Sequence, residues 1–203
     1  MPEIPHIPSP ESKPTIIRQL HLLIHPGFCT DPDDPVDEIV LSDAERFVQK
    51  YIDQAQKLQL DEAMIVLTHN VGDQFIQDVK ARKKYIEILK RIKAILVDRA
   101  IVLCGPNDLF DPDGITFPKA LALLQSRGFA LDDHTQYVAY GESLGCCVTE
   151  TATNFYSAMG LSSPINIISE LTDVGLVQKP KIIEGVRNRN SPCYCVDDLI
   201  FGE

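Results

Sequence analysis

The chain has 203 residues, of which 44% are hydrophobic and 24% charged, enough to bury a sizeable core as one domain. Its formal net charge of −10 gives it an acidic surface that repels phosphate groups, which argues against nucleic acid and anionic membranes as partners. Residues 1–14 lack the apolar core of a signal peptide, and no apolar run is long enough to span a membrane, so we expect a cytoplasmic protein whose six cysteines are thiols.

Residues 1–14 contain five prolines and are expected to form an extended arm, followed by a single α/β domain over 15–203. Apolar runs rich in β-branched residues predict buried strands, and apolar stripes at helical spacing predict helices between them. The predicted strands cover 16–24, 63–68, 100–104, 137–140 and 165–168, with shorter ones at 181–183 and 193–196. The predicted helices cover 42–58, 72–95, 117–126 and 148–159.

This alternation of strands and helices is typical of a three-layer sandwich, in which a largely parallel sheet of five or six strands has helices on both faces. Ligands of such sheets bind at the carboxyl ends of the strands, where the loops converge. Reactive side chains follow four of the predicted strands, and we expect them to border one pocket for a small molecule. They are His25, His69, Asn70, Cys104, Glu142 and Ser143, together with Cys147 a few residues further on.

Cys147 stands where the predicted helix 148–159 begins. The free N–H groups and positive dipole at the start of a helix lower the pKa of a thiol and favour its use as a nucleophile. The same N–H groups could stabilise an oxyanion. The alternative is that Cys146 and Cys147 are small apolar residues that pack against the start of the helix.

Two other motifs compete with this hypothesis. Gly141-Glu-Ser143-Leu-Gly145 has the Gly-x-Ser-x-Gly spelling of an α/β-hydrolase elbow, which makes Ser143 a rival nucleophile. The last histidine, His134, precedes Ser143, whereas that elbow requires a later one. Cys193 and Cys195 have the spacing of some metal ligands, but no second pair completes a recognised zinc motif, and we expect neither a metal nor a cofactor.

The segment 141–152, GESLGCCVTETA, resembles the isochorismatase-like cysteine hydrolases, which include nicotinamidases and N-carbamoylsarcosine amidohydrolases. Their signature here is a strand, a glycine, a short loop and then Cys-Val-x-x-Thr-Ala, which Cys147, Val148, Thr151 and Ala152 match. The resemblance extends loosely over 16–172. It implies an isochorismatase-like fold, a cysteine nucleophile that acts on an amide or related small molecule and, together with the proline-rich arm, a homo-oligomer.

The chain departs from this family at two catalytic positions. The family carries an Asp in Val-Asp-x-Gln-x-x-Phe, and alignment on Phe28 places Leu23 at the Asp and His25 at the Gln. The family's catalytic Lys follows its third strand, where this chain has CGPNDLFDPDG and no lysine before Lys119.

Three functions remain open from the sequence. The first is a divergent cysteine hydrolase, with Cys147 as nucleophile, His25 or His69 as base, and substrate contacts from Glu142, Ser143, Asn70 and Cys104. The second is a catalytically silent protein of the same fold that binds a ligand or partner. The third is a metal-dependent enzyme that uses the histidines and cysteines at the strand ends.

Overall fold

The computed structural model describes residues 13–26, 48–69, 79–105, 116–142, 147–173 and 193–195. The strands are β1 (Thr15–Ile16), β2 (Gln19–Ile24), β3 (Glu62–His69), β4 (Ala100–Gly105), β5 (Phe129–Ala130), β6 (Gln136–Glu142), β7 (Ile165–Asp173) and β8 (Cys193–Cys195). The helices are α1, described over 48–57, and α2 (Val79–Leu96), α3 (Thr116–Ser126) and α4 (Thr149–Met159). None of the described helices is both long and apolar enough to cross a membrane.

Six of the strands form one parallel sheet in the order β4–β3–β2–β6–β7–β8. The two short strands β1 and β5 pair in parallel beside it. The predicted α/β fold with a largely parallel sheet of five or six strands is therefore confirmed. β2 lies at the centre of the sheet, with β3 on one side and β6 on the other, because the chain returns from β4 at one end of the sheet to add β6 beside β2.

Both faces of the sheet are covered by helices, because side chains along each strand alternate between two apolar cores. In one core Leu22 and Ile65 pack with α3 and α4, whose Phe117 and Phe155 rings meet edge to face at 4.9 Å. In the other core Leu23, Val66 and other strand residues pack with α1 and α2. The three layers explain why the strands read as continuous apolar runs rather than as alternating ones.

The single strand predicted over 16–24 is two strands. β1 pairs with β5, whereas β2 belongs to the large sheet, and the chain changes sheets at Arg18. The Arg18 N–H donates to the Asp61 carbonyl at 2.7 Å, and its own carbonyl accepts from Gln136 N–H at 2.9 Å. Its guanidinium also forms ion pairs with Asp61 and the buried Glu62. These contacts fix the break, and they come from residues far away in the sequence.

β7 is longer than the predicted strand 165–168, because its polar end pairs with the last residues of β6. The two-residue strand β5 was not predicted, since it is too short to show a pattern. Three of the predicted elements lie wholly or partly outside the described residues. They are almost all of the arm, the first part of the helix predicted over 42–58, and the strand predicted at 181–183. The assignment of 15–203 to one domain stays a prediction.

A histidine is buried inside the sheet. His21, in the middle of β2, is 1% exposed, and its Nδ1 lies 3.1 Å from the Tyr140 hydroxyl, within hydrogen-bonding distance. Its Nε2 is buried and has no hydrogen-bond partner within the part of the chain that the structure describes. Burial, with a smaller contribution from Arg18, lowers the pKa of His21 from 6.5 to about 4. Burial also raises the pKa of Tyr140, which keeps its hydroxyl protonated. His21 is therefore neutral in the folded protein.

We expect this histidine to make the fold sensitive to acid. Between pH 6.5 and about 4 the unfolded chain binds a proton at His21 and the folded chain does not, so the free energy of unfolding falls as the pH is lowered. The two pKa values correspond to a loss of about 3 kcal/mol below pH 4, and to none above pH 6.5. Urea unfolding at a series of pH values should show this loss in the wild type and lack it in His21→Met. The exposed His134→Asn is the control, and an equal acid loss in His21→Met would contradict the expectation.

Candidate functional site

The carboxyl ends of neighbouring strands meet at one edge of the sheet. The backbone of His69 is in register with Gly105 of β4, next to the pair Thr68–Cys104. On the central strand, Ile24 is in register with Leu67 of β3 and Gly141 of β6. The backbone positions of four candidate residues thus share this edge, namely His25, His69, Cys104 and Glu142. Of these, only the side chain of His25 is among those that the structure describes; Asn70 and Ser143 lie outside the described residues.

His25 directly follows the central strand and has an unusual backbone conformation. Its side chain is fully buried, and its φ of 47° lies in the left-handed region, which few residues other than glycine adopt. Its N–H donates to the Leu67 carbonyl at 2.8 Å, which ties the turn to β3. Such a conformation costs on the order of 1–3 kcal/mol and is common at functional sites, where the surroundings hold it in place.

Gly141 brings β6 unusually close to β2 immediately before His25. Its φ is 129°, and a Cβ atom at this position would lie 1.9 Å from the Ile24 carbonyl oxygen. Only glycine permits this approach. The contact therefore fixes the end of β6 beside the residue that precedes His25.

The pairing of β6 with β7 is also irregular at this edge. Ala139 pairs with Ile167, but Gly141 pairs with Thr172, so β7 has extra residues between these two pairs. The Thr172 hydroxyl spans them by donating a hydrogen bond to the Ile168 carbonyl at 2.6 Å. Beyond this irregularity Glu142 is in register with Asp173. Irregular pairing of this kind changes the direction of strand ends and is frequent beside active sites.

Cys147 lies two residues before Thr149, the first residue of α4. Cys147 and Val148 form a wide π-type turn, and Val148 has helical angles of φ −66° and ψ −51° with no side chain capping the helix. The Cys147 thiol is half-buried and packs against the core beneath α3 and α4. One turn further on, the Thr151 hydroxyl is buried and has no hydrogen-bond partner within the described chain.

Sequence reasoning missed Asp173, which the longer β7 brings to the same edge as Glu142. No sequence signal marked it, since the residues from Ser169 to Asp173 are mostly polar, and the strand was predicted to stop at Ile168. Cys193 and Cys195 are in register with Ile165 and Ile167, at the beginning of β7 rather than at its carboxyl end. Among the described residues, no three His, Cys, Asp or Glu side chains are grouped so that they could hold a metal ion.

No family model and no curated protein matches the sequence. Two solved structures are similar to the chain. One is the YcaC gene product from Escherichia coli, described as an octameric hydrolase of unknown specificity, with 14% identity, a TM-score of 0.49 and coverage of 88% of this chain and 76% of that one. The other is the nicotinamidase SaPncA from Staphylococcus aureus, with 16% identity, a TM-score of 0.43 and coverage of 85% and 95%.

Proposed function

We propose that the protein is a divergent isochorismatase-like hydrolase that cleaves an amide or related small molecule, with Cys147 as nucleophile and His25 as base. The observation that carries this proposal is the strained, buried His25 at the end of the central strand, beside the strand that leads to Cys147. A strained conformation at a strand end is maintained by its surroundings and points to a role for the side chain. His69, at the end of the neighbouring β3, is the alternative base.

The two residues divide the chemistry of acyl transfer between them. His25 accepts the thiol proton, and the thiolate of Cys147 attacks the carbonyl carbon of the substrate. N–H groups at the start of α4 stabilise the oxyanion of the tetrahedral intermediate. His25 then returns the proton to the departing amine, which leaves a thioester on Cys147. A water molecule that gives a proton to His25 hydrolyses this thioester and regenerates the thiol.

His25 takes over the proton transfer that the related enzymes assign to an aspartate. Leu23, which stands at the aspartate position of the family pattern, packs in the apolar core beneath α1 and α2 and has no group that could carry a proton. His25 is two residues further along and lies where the strand ends. We place Asn70, Cys104, Glu142 and Ser143 around the substrate. Cys104 and Glu142 lie at the carboxyl ends of β4 and β6, and Asn70 and Ser143 come directly after β3 and β6 in the sequence.

The first test is the reactivity of the six thiols. Native protein is alkylated with iodoacetamide over a range of pH, and the labelled peptides are quantified by mass spectrometry. We expect Cys147 to react fastest, with half-maximal reactivity below the ordinary thiol pKa of about 8.5. In His25→Asn the reactivity of Cys147 near neutral pH should fall by roughly tenfold, since the thiolate loses its partner.

Asparagine is the informative replacement because it tolerates the left-handed conformation and keeps the turn intact. His134→Asn is the matched control, since His134 is exposed in a turn before β6 and should leave the reactivity of Cys147 unchanged. If Cys147 reacts no faster than the other five cysteines, or His25→Asn has no effect on it, the protein does not use this pair as proposed.

A further inference from the structure

The buried hydroxyl of Thr151 is a hydrogen-bond donor that the described chain does not use. Its side chain is 0% exposed, and its Oγ1 has no hydrogen-bond partner among the residues that the structure describes. The hydroxyls of the buried Thr135 and Thr172 behave differently, since each donates to a main-chain carbonyl, at 2.8 Å and 2.6 Å. A buried polar group without a partner destabilises a fold, so its presence calls for an explanation.

Thr151 also departs from the usual behaviour of threonine inside a helix. There the hydroxyl commonly donates to the carbonyl four residues earlier, as Thr153 does to Thr149 at 2.8 Å. For Thr151 that carbonyl belongs to Cys147, and the bond is not made. The backbone between them contains the π-type turn at Cys147 and Val148, a form that pairs residues five apart and is frequent at functional sites.

The position of Thr151 brings its hydroxyl within reach of the Cys147 side chain. Thr151 lies on the inward face of α4, three residues after Val148 and four before Phe155, which both pack in the core beneath α3 and α4. Helical side chains lean towards the amino terminus, so Thr151 is directed at the preceding turn. The side chains of that turn are the apolar Val148 and Cys147, which packs against the same core. The sulfur of Cys147 is therefore the polar side-chain atom next to Thr151 along the helix.

A thiol and a thiolate differ as partners for such a hydroxyl. The sulfur of a thiol is a weak hydrogen-bond acceptor, whereas an ionised acceptor forms bonds roughly twice as strong as a neutral one. A donor that is unused in the resting protein thus gains a partner when Cys147 loses its proton. Burial strengthens this interaction, because little water competes for the donor.

We propose that Thr151 stabilises the ionised form of Cys147 by donating a hydrogen bond to its thiolate. This inference rests on the proposed role of Cys147 as nucleophile. When the thiol ionises, its proton passes to His25, while the Thr151 hydroxyl keeps its own proton and directs it at the sulfur. Because Thr151 is fully buried, it acts on the sulfur from beneath and leaves the exposed side of the thiol to the substrate.

Other titratable groups around this turn are the same whether or not residue 151 carries a hydroxyl. The negative charge of Glu150 opposes ionisation of the thiol, and burial raises the pKa of Tyr137, which keeps it uncharged. The remaining described groups on α4 and the elements beside it are Tyr156 of α4, Lys119 of α3 and Glu170 of β7. A change in the ionisation of Cys147 on removal of the hydroxyl therefore reports the hydroxyl itself.

The experiment is alkylation of the full chain with iodoacetamide over a range of pH, with the Cys147 peptide quantified by mass spectrometry. Thr151→Val removes the hydroxyl and keeps the shape of the side chain, whereas Thr151→Ser keeps the hydroxyl. Thr151→Ala also lacks the hydroxyl and takes the place of the valine variant if that protein does not fold. Thr153→Val is the matched control, because it removes from the same helix a hydroxyl that already donates to a carbonyl.

We expect Thr151→Val to raise the pH of half-maximal alkylation of Cys147 by about one unit and to slow the reaction near neutral pH by roughly fivefold to tenfold. The limiting rate at high pH should stay within about threefold of the wild type, since the thiolate itself remains accessible. The thermal midpoint should equal or exceed that of the wild type, because an unsatisfied buried group is gone. Thr151→Ser and Thr153→Val should keep the half-maximal pH of the wild type.

The same half-maximal pH in Thr151→Val and the wild type would overturn the inference, and so would an equal shift in Thr153→Val. The proposed function fails on different results, namely a folded Cys147→Ala protein that still hydrolyses its amide, or a His25→Asn protein in which Cys147 reacts as before. A shift in Thr151→Val without one in Thr153→Val supports the role of Thr151 even where His25 proves not to be the base.

Discussion

Cys147→Ala is expected to lower the rate of amide hydrolysis by roughly a thousandfold or more, because in the proposed mechanism the thiolate forms the covalent bond to the substrate and no other group replaces it. The fold should survive, since the change removes one half-buried sulfur atom at a cost on the order of 1 kcal/mol. The measurement is ammonia release from a panel of small carboxamides, with the wild type used first to find those that are cleaved. Thermal unfolding of both proteins separates lost chemistry from lost structure.

Cys193→Ala is the matched control for this substitution. Cys193 lies in β8, in register with the first residue of β7, and its loss should leave the hydrolysis rate within about twofold of the wild type. Cys147→Ser tests whether the reaction needs a thiolate, because a serine side chain has nearly the same shape as cysteine but its hydroxyl is far less acidic than a thiol. A Cys147→Ala protein that is folded and still hydrolyses the same amide would exclude Cys147 as the nucleophile and leave Ser143 as the rival.

The sheet could be predicted because its strands are buried on both faces. Ala63–Thr68 and Ala100–Cys104 are short apolar runs bounded by polar residues and glycine, and each lies within one residue of the observed strand. Parallel pairing then follows from the helices between strands. The break between β1 and β2 could not be predicted, since it depends on Arg18 meeting Asp61 and Glu62 across more than 40 residues of sequence.

The topology of the sheet predicts which residues come together at the candidate site, but it does not predict their backbone conformations. Once the strands are placed, His25 and Gly141 must come near the same edge of the sheet. The contact between Gly141 and Ile24 joins two segments more than a hundred residues apart, and no local pattern signals it. The end of β7 was missed for a related reason: Thr172 and Asp173 pair with β6 although the segment 169–173 lacks the apolar pattern of a strand.

Three glycines with positive φ offer a direct comparison of backbone strain with steric contact. Gly128 and Gly160, with φ of 84° and 58°, have open space where a Cβ would lie, so alanine there introduces only conformational strain. At Gly141 the same methyl group meets the carbonyl of Ile24, a main-chain group in the centre of the sheet that cannot rotate away. An added methyl group therefore fits at Gly128 and Gly160, whereas at Gly141 the backbone of β2 or β6 has to move to admit it.

Gly141→Ala is expected to lower the free energy of unfolding by at least about 3 kcal/mol, against about 1 kcal/mol for Gly160→Ala, because β2 and β6 must separate to admit the methyl group. Urea unfolding of the three proteins gives these differences directly. The separation also displaces the turn at His25, so in Gly141→Ala protein that remains folded the alkylation of Cys147 should slow to the level of His25→Asn, while Gly160→Ala keeps the wild-type rate. Equal losses of stability in the two variants would mean that the strands part easily at this point and that Gly141 does not position His25.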